Sequence, residues 1–218
     1  MIKAVLFDLD GTIINSEEGI TKCVQYALSC FGIEEPDRKK LLYFIGPPLD
    51  PVFREKYGFD ADKAWQAVLK YRERFDKTGI FECELYEGVA DTIRKLKEAG
   101  CVIALASSKP ETACRRILEH FSLTSYFDEI VGSTLDGSIS TKQQVLEELG
   151  RRMEHMQITK DEMCLIGDTE YDVIGADQFG IRCVGVSYGF GKREQLERAG
   201  AYCVCDSMAE VVDALQQM

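Results

Sequence analysis

Short apolar runs alternate with amphipathic stretches along most of this chain. After the opening "IKAVLFD", the runs "CVIALAS" (101–107), "DEIVG" (128–132), "EMCLIGD" (162–168), "IRCVGV" (181–186) and "YCVC" (202–205) follow at intervals from residue 82 onward. Each reads as a strand, and the patterns between them read as helices. In "GVADTIRKLKEAG", Val89, Ile93 and Leu96 share one face and Gly100 is the stop. In "STKQQVLEELG", a capping box from Ser140 to Gln143 opens a helix that Gly150 closes. This alternation predicts an α/β fold, a parallel sheet wrapped by helices.

Residues 16 to about 80 break the rhythm, because they hold no convincing strand. Ile20, Val24, Ala27, Leu28 and Phe31 form one amphipathic helical face, and Ala61, Trp65, Val68, Arg72 and Phe75 form another, with Trp65 expected in the core. Asp50-Pro51 reads as a helix start between them. The pattern predicts a core made of residues 1–15 and 83–218 and a small helical unit, 16–82, inserted between the first strand and the rest of the sheet.

Composition narrows the function. The 218 residues are 45% apolar and 29% charged, ordinary for a folded globular chain. No run approaches the roughly 20 apolar residues that cross a bilayer, so a cytoplasmic protein without a membrane partner is expected. The formal charge of -11 argues against nucleic acid as a partner. The nine scattered cysteines read as reduced residues, with Cys203 and Cys205 on a buried strand rather than on a metal. Only two histidines are present, His120 and His155, so imidazole-rich zinc sites are largely excluded and an oxygen-loving cation, magnesium, is favoured.

The chemistry gathers where predicted strands end, which is where open α/β sheets bind ligands. The first run closes on "DLDGT". Asp8 is a candidate nucleophile toward phosphorus, and Asp10, two residues on, is a candidate to protonate the leaving oxygen and then activate water. Gly11 permits a sharp turn into Thr12, and the N–H groups around Leu9 and Asp10 are expected to face the transferring oxygens. In "ASSKPE", Ser108 is expected to cap a helix with Glu111, leaving Ser107 to contact phosphate, although the two serines could exchange roles. Lys142 sits in a first helical turn, where a cation makes sense if an anion is also held there. In "GDTEYD", Asp168 is expected to share a metal with Asp8. Asp172 reads either as an orienting group or as the cap of a helix at 172–179.

The order DLDGT, ASSK, an isolated lysine and GDTEYD resembles the four motifs of the haloacid dehalogenase superfamily, and nearly the whole chain is similar to its phosphoglycolate phosphatase-like branch. The resemblance implies a Rossmann-like sheet with the first strand central and a helical cap. It also implies an aspartyl-phosphate on Asp8, Asp10 as general acid/base and metal ligand through its carbonyl, phosphate held by Ser107 and Lys142, and Mg2+ completed by Asp168 with Asp172. The loop Gly46, Pro47, Pro48 resembles a cap segment that reaches substrate, while Asn15 stands where many relatives carry an acid. The expected activity is magnesium-dependent hydrolysis of a small phosphorylated metabolite, phosphoglycolate phosphatase-like or 5'-nucleotidase-like, by a monomer or homodimer. A β-phosphoglucomutase-like phosphotransferase is the alternative, and a phosphorylation-dependent switch a more distant one. The basic residues Arg38, Lys39, Lys40, Arg72 and Arg74 read as solvated faces.

Overall fold

The computed structural model describes residues 1–218, which separate into two compact units, 1–14 with 85–218 and 15–84. In chain order, β1 (Ala4–Phe7) and the two-residue β2 (Ile14–Asn15) lead into α1 (Glu17–Ser29), α2 (Leu49–Tyr57) and α3 (Ala61–Phe75). After β3 (Glu84–Leu85) come α4 (Val89–Glu98), β4 (Val102–Pro110), α5 (Glu111–His120), β5 (Glu129–Ser133) and α6 (Lys142–Met153). The chain ends with β6 (Met163–Gly167), α7 (Glu170–Phe179), β7 (Arg182–Val186), α8 (Arg193–Ala199), β8 (Cys203–Cys205) and α9 (Met208–Gln216).

Six strands form a sheet in the order β5-β4-β1-β6-β7-β8, with every adjacent pair parallel. All four residues of β1 are buried, because helices cover both faces of its central position. Ala4 and Leu6 join Ala104, Val131, Leu165 and the apolar faces of α6 and α7 in one cluster. The register Phe7↔Leu105 and Phe7↔Ile166 brings the residues that follow three neighbouring strands to the same edge of the sheet. Pairing of β4 with β5 is irregular between Ala106 and Pro110, which turns the Ser107-Ser108-Lys109 segment out of the regular ladder.

The helical unit has its own core. Phe44 lies 4.8 Å from Phe53, which stacks on Phe59 at 6.0 Å, and Phe31 packs 5.3 Å from Phe59. In α3 the buried positions are Ala64, Ala67, Val68, Tyr71 and Phe75, one residue round from the predicted face. Trp65 is therefore 49% exposed, with the Arg72 guanidinium 5.5 Å above its ring, and is not a core residue. Arg74 is not a solvated charge either: it pairs bidentately with Glu82, and Lys22 joins the same carboxylate. Asn15 accepts the Glu17 N–H at 3.1 Å at the start of α1, a role that needs no negative charge.

In α6 and α2, three helix ends differ from expectation. Thr141 caps α6 in a box with Gln144, one residue beyond the predicted pair, so Lys142 is the first helical residue. Gly150 lies inside α6 because the helix packs there on Phe179, whose ring leaves no room for a side chain, and α6 continues to Met153. Helix α2 begins at Leu49, a residue before the predicted Asp50.

Gly132 in β5 lets the strand pass directly against the 109–111 segment: a Cβ there would lie 2.5 Å from the Lys109 carbonyl oxygen and 2.5 Å from the Glu111 nitrogen. Both obstacles are backbone and cannot rotate away. Gly132→Ala is therefore expected to lower the thermal midpoint, followed by circular dichroism, by roughly 4–8 °C, which corresponds to about 2 kcal/mol of overpacking. An unchanged midpoint would contradict this account of the β5 contact.

Candidate active site

Four polypeptide segments deliver the polar residues of the core to the carboxyl edge of the sheet. The segment after β1 turns back on itself: Gly11 N–H bonds the Ile14 carbonyl, while Thr12, Ile13 and Ile14 all donate to the Leu9 carbonyl. Gly11 takes φ +86°, and a Cβ there would sit 2.0 Å from Asp168 Oδ2, so only glycine fits. The N–H groups of Leu9 and Asp10 enter none of the bonds that close this turn. Thr12 is fully buried with its hydroxyl unpartnered, and its carbonyl accepts from the Tyr188 hydroxyl at 3.0 Å.

Lys142 is the buried cation of the cluster. Its Nζ donates to Asp8 Oδ1 at 2.5 Å, to the Ala106 carbonyl at 2.7 Å and to Asp172 Oδ1 at 2.7 Å, so all three ammonium hydrogens point at protein acceptors. The stem reaches there because α7 has a glycine, Gly175, beside it; a Cβ on Gly175 would lie 2.6 Å from Lys142 Cγ. An incoming phosphate gains this lysine as a donor only as one of those bonds yields.

Asp172 serves two neighbours at once. While Oδ1 meets Lys142, Oδ2 accepts from the Thr169 N–H at 3.0 Å and the Thr169 hydroxyl at 2.8 Å. Helix α7 thus starts at Glu170 with Thr169 as its cap. Asp172 completes the capping box from its third position, so the helix does not begin at Asp172. Asp168, just after β6, is fully buried; Oδ2 accepts from the Phe190 N–H at 2.8 Å and Oδ1 has no partner.

Carboxylate oxygens of Asp8, Asp168 and Asp172 lie within 4.8 Å of one another. Burial, only partly offset by Lys142, and the neighbouring acids raise the Asp8 carboxyl from its ordinary 3.8 to about 7. Burial, then Asp172 and Asp8, push Asp168 well above its usual range. Burial works against the Lys142 ammonium, but Asp172 and Asp8 outweigh it and hold lysine above its ordinary value. The donor set is short of positive charge: Asp8, Asp10, Asp168 and Asp172 face only Lys109 and Lys142. A divalent cation fits this deficit. Asp168 Oδ1 and the second Asp8 oxygen are the groups left to bind it, since both Asp172 oxygens are engaged.

The second polar segment differs from its predicted arrangement. Helix α5 follows Pro110 without a side-chain cap, so Ser108 does not cap it and is partly exposed. Ser107 is 2% exposed and its Oγ accepts the Lys109 N–H at 3.3 Å, which leaves its hydroxyl hydrogen to donate. Sequence reasoning missed Lys109. Its Nζ sits 2.9 Å from both Asp10 oxygens, and the signal was the lysine inside ASSK, read there only as part of a cap. The Phe190 and Tyr188 contacts were also missed; the glycines flanking Phe190 in "YGFG" were their only trace. Gly46, Pro47 and Pro48 belong to the helical unit, where Gly46 takes φ +102° and Pro48 precedes α2.

Known proteins are similar to this chain over nearly its whole length. The chain is 39% identical over 212 residues to a 5'-nucleotidase of Pseudomonas aeruginosa, covering 97% of this chain and 95% of the relative. It is 30% identical to tyrosine-protein kinase PtkA of Mycobacterium tuberculosis over 98% of this chain and 71% of that protein. A crystal structure of a predicted phosphatase from Clostridium acetobutylicum superposes with a TM-score of 0.92 at 44% identity, each chain covered completely. The family of haloacid dehalogenase-like hydrolases, whose members generally use a divalent metal, matches residues 5–186. The chain belongs to that family and is a phosphatase.

Proposed function

We propose that this phosphatase hydrolyses a small phosphomonoester through a phosphoryl group carried on Asp8, with Mg2+ as its metal. The observation that carries the reading is the pairing of Asp8, held by Lys142, with the unpartnered Asp168 Oδ1 in a site short of positive charge. Bound by Asp8 and Asp168, Mg2+ would supply the positive charge that lets an anionic nucleophile approach an anionic phosphoryl group.

This chain's own residues account for the remaining steps. Lys142 orients the Asp8 carboxylate, Ser107 donates its hydroxyl to a phosphoryl oxygen, and the N–H groups of Leu9 and Asp10 do the same. Asp10 gives a proton to the leaving oxygen as the ester bond breaks. It then takes one from the water that displaces phosphate from Asp8. The likeness to a 5'-nucleotidase supports nucleoside 5'-monophosphates as the first substrates to test, with phosphoglycolate next. None of these groups selects the organic part of the substrate, so we assign that choice to the helical unit and its Gly46-Pro47-Pro48 loop. The likeness to a tyrosine-protein kinase supports a second reading, transfer of the phosphoryl group from Asp8 to a hydroxyl other than water's.

Phosphate release from a panel of nucleoside monophosphates, phosphoglycolate and sugar phosphates tests the reading. Release is expected with Mg2+ and not with a chelator. Asp8→Asn should reduce it by at least about 10³-fold while the protein remains folded. Turnover retained by Asp8→Asn would overturn the covalent route. Loss of substrate without free phosphate, accompanied by a new phosphate ester, would favour the second reading.

Metal binding also predicts a pH dependence. Folded Asp8, at about 7 against 3.8 ordinarily, holds a proton that the unfolded chain has lost across that window. The native state then binds more protons than the unfolded one, so metal-free stability falls as pH rises from about 4 to 7. The thermal midpoint without metal should be lower at pH 8 than at pH 5.5, and Mg2+ should raise it more at pH 8, where the Asp8 proton competes less for its carboxylate. Equal metal-induced shifts at the two pH values would contradict the assignment of Asp8 as a ligand.

A further inference from the structure

One buried cation of the site is not used by the reaction just described. The Lys109 side chain is 8% exposed, and its Nζ straddles the carboxylate of Asp10, 2.9 Å from each oxygen. Asp10 is itself only 14% exposed and has no other side-chain hydrogen bond.

The lysine is held at its backbone as firmly as at its tip. Its N–H donates to Ser107 Oγ, its carbonyl accepts from Cys114 Sγ at 3.5 Å, and the close approach of Gly132 leaves the 109–111 segment no room to shift toward β5. A largely buried ion pair is weak evidence for stability, because desolvation offsets most of its Coulombic gain. Its geometric effect is clearer. An aspartate free to turn about its two side-chain torsions spreads its oxygens over several positions. An ammonium centred on both oxygens holds the carboxylate plane in one.

Proton transfer requires that restriction. A general acid acts only within hydrogen-bond reach of the oxygen it protonates, and displacements near 1 Å can cost about 10²-fold in rate. Lys142 cannot do this for Asp10, because its three donors are taken by Asp8, Asp172 and the Ala106 carbonyl.

We propose that Lys109 is the positioning residue of Asp10, dividing the two buried ammoniums of the site between the nucleophile and the proton-transfer group. This rests on the reading of Asp8 as nucleophile and Asp10 as acid/base. In the first step, an Asp8 oxygen forms a bond to phosphorus as the bond from phosphorus to the ester oxygen breaks, and the departing oxygen takes the Asp10 proton. In the second, water forms its bond to phosphorus, the bond to Asp8 breaks, and Asp10 recovers a proton from that water. Lys109 exchanges no proton in either step; it keeps Asp10 aimed.

A leaving group that departs well without a proton gains little from a well-aimed acid, so the role is read from leaving-group dependence. Initial rates are measured with p-nitrophenyl phosphate, whose leaving group is a stable anion, and with glycerol 2-phosphate, whose alkoxide is not. The proteins compared are wild type, Lys109→Met, Lys109→Arg, Asp10→Asn and the double variant Lys109→Met/Asp10→Asn.

Lys109→Met is expected to lose about 10²-fold in kcat/KM, which reads the reaction only up to departure of the leaving group, on the alkyl ester and less than about 5-fold on the aryl ester, the selective loss that follows from weakened general acid catalysis. Its KM for the alkyl ester should change little. Lys109→Arg should recover much of the alkyl-ester rate, because a guanidinium also spans two carboxylate oxygens. The double variant should be no slower than Asp10→Asn alone, because the two residues act as one unit.

Equal losses of kcat/KM on both esters, a rise in the alkyl-ester KM at unchanged kcat, or additive losses in the double variant would overturn the proposal while leaving the phosphatase reading in place. Wild-type protein that releases no phosphate from either ester would overturn both. Circular dichroism of each variant identifies misfolding, and if Lys109→Met does not fold, Lys109→Arg decides by the same leaving-group comparison.

Discussion

The buried ammonium of Lys142 is the contact on which the rest of the site depends. Carboxylates just after β1 and β6 and from α7 gather within 4.8 Å of one another, and in a dry interior that arrangement is repulsive unless a fixed positive charge stands among them. Lys142 supplies that charge from the first turn of α6, reaching beside Gly175 of α7 to a carbonyl of β4 and the nucleophile candidate after β1. One side chain therefore ties together two central strands and two helices, with three donors matched to three acceptors. Removing it would leave three buried acceptors without partners, so its loss would be felt in the fold as well as in the chemistry.

That balance is deliberately short by one cation. Asp172 is satisfied on both oxygens, Asp8 on one and Asp168 on one, and burial first, then the neighbouring acids, raises the carboxyls of Asp8 and Asp168. A core built only for stability would place apolar residues at such positions. The local frustration is accepted because the same two oxygens are the ones available to a metal, and sites of this kind are where functional proteins break the rules of packing.

Much of this was legible in the sequence because its signals are local. Runs such as Ala4-Val5-Leu6-Phe7 admit little besides a strand buried on both faces, and acids directly after such a run need a reason to be there. What escaped depended on choices that local chemistry leaves nearly degenerate. Ser140 and Thr141 are both good caps, and only the meeting of Gln144 with the Thr141 hydroxyl picks the second. Gly150 reads as a stop unless the Phe179 ring beside it is known. Val68 and Phe75 belong to both candidate faces of α3, so the orientation of Trp65 turned on whether Tyr71 or Arg72 was buried. Lys109 was hidden differently: its partner lies 99 residues away, and nothing in a lysine beside a proline announces a carboxylate at that distance.

On the proposed reading, one arrangement of these groups suits transfer of a phosphoryl group to more than one acceptor. In the proposed reaction, Asp8, Lys142, Asp168 and Asp172 would address the phosphoryl group and a cation rather than what the phosphoryl group leaves or what it joins. Asp10, in its proposed role, would handle a proton on an oxygen, and an oxygen of water and an oxygen of an alcohol would present it with the same task. The identity of the acceptor must therefore be decided by which O–H group can approach Asp10, a question of access rather than of catalytic groups. A helical unit with its own aromatic core can change its surface without disturbing the buried carboxylates, since the residues that hold those carboxylates in place all lie in the other unit. With substrate selection proposed for the helical unit, selectivity would be free to diverge while the chemistry is kept, because the two units have different hydrophobic cores.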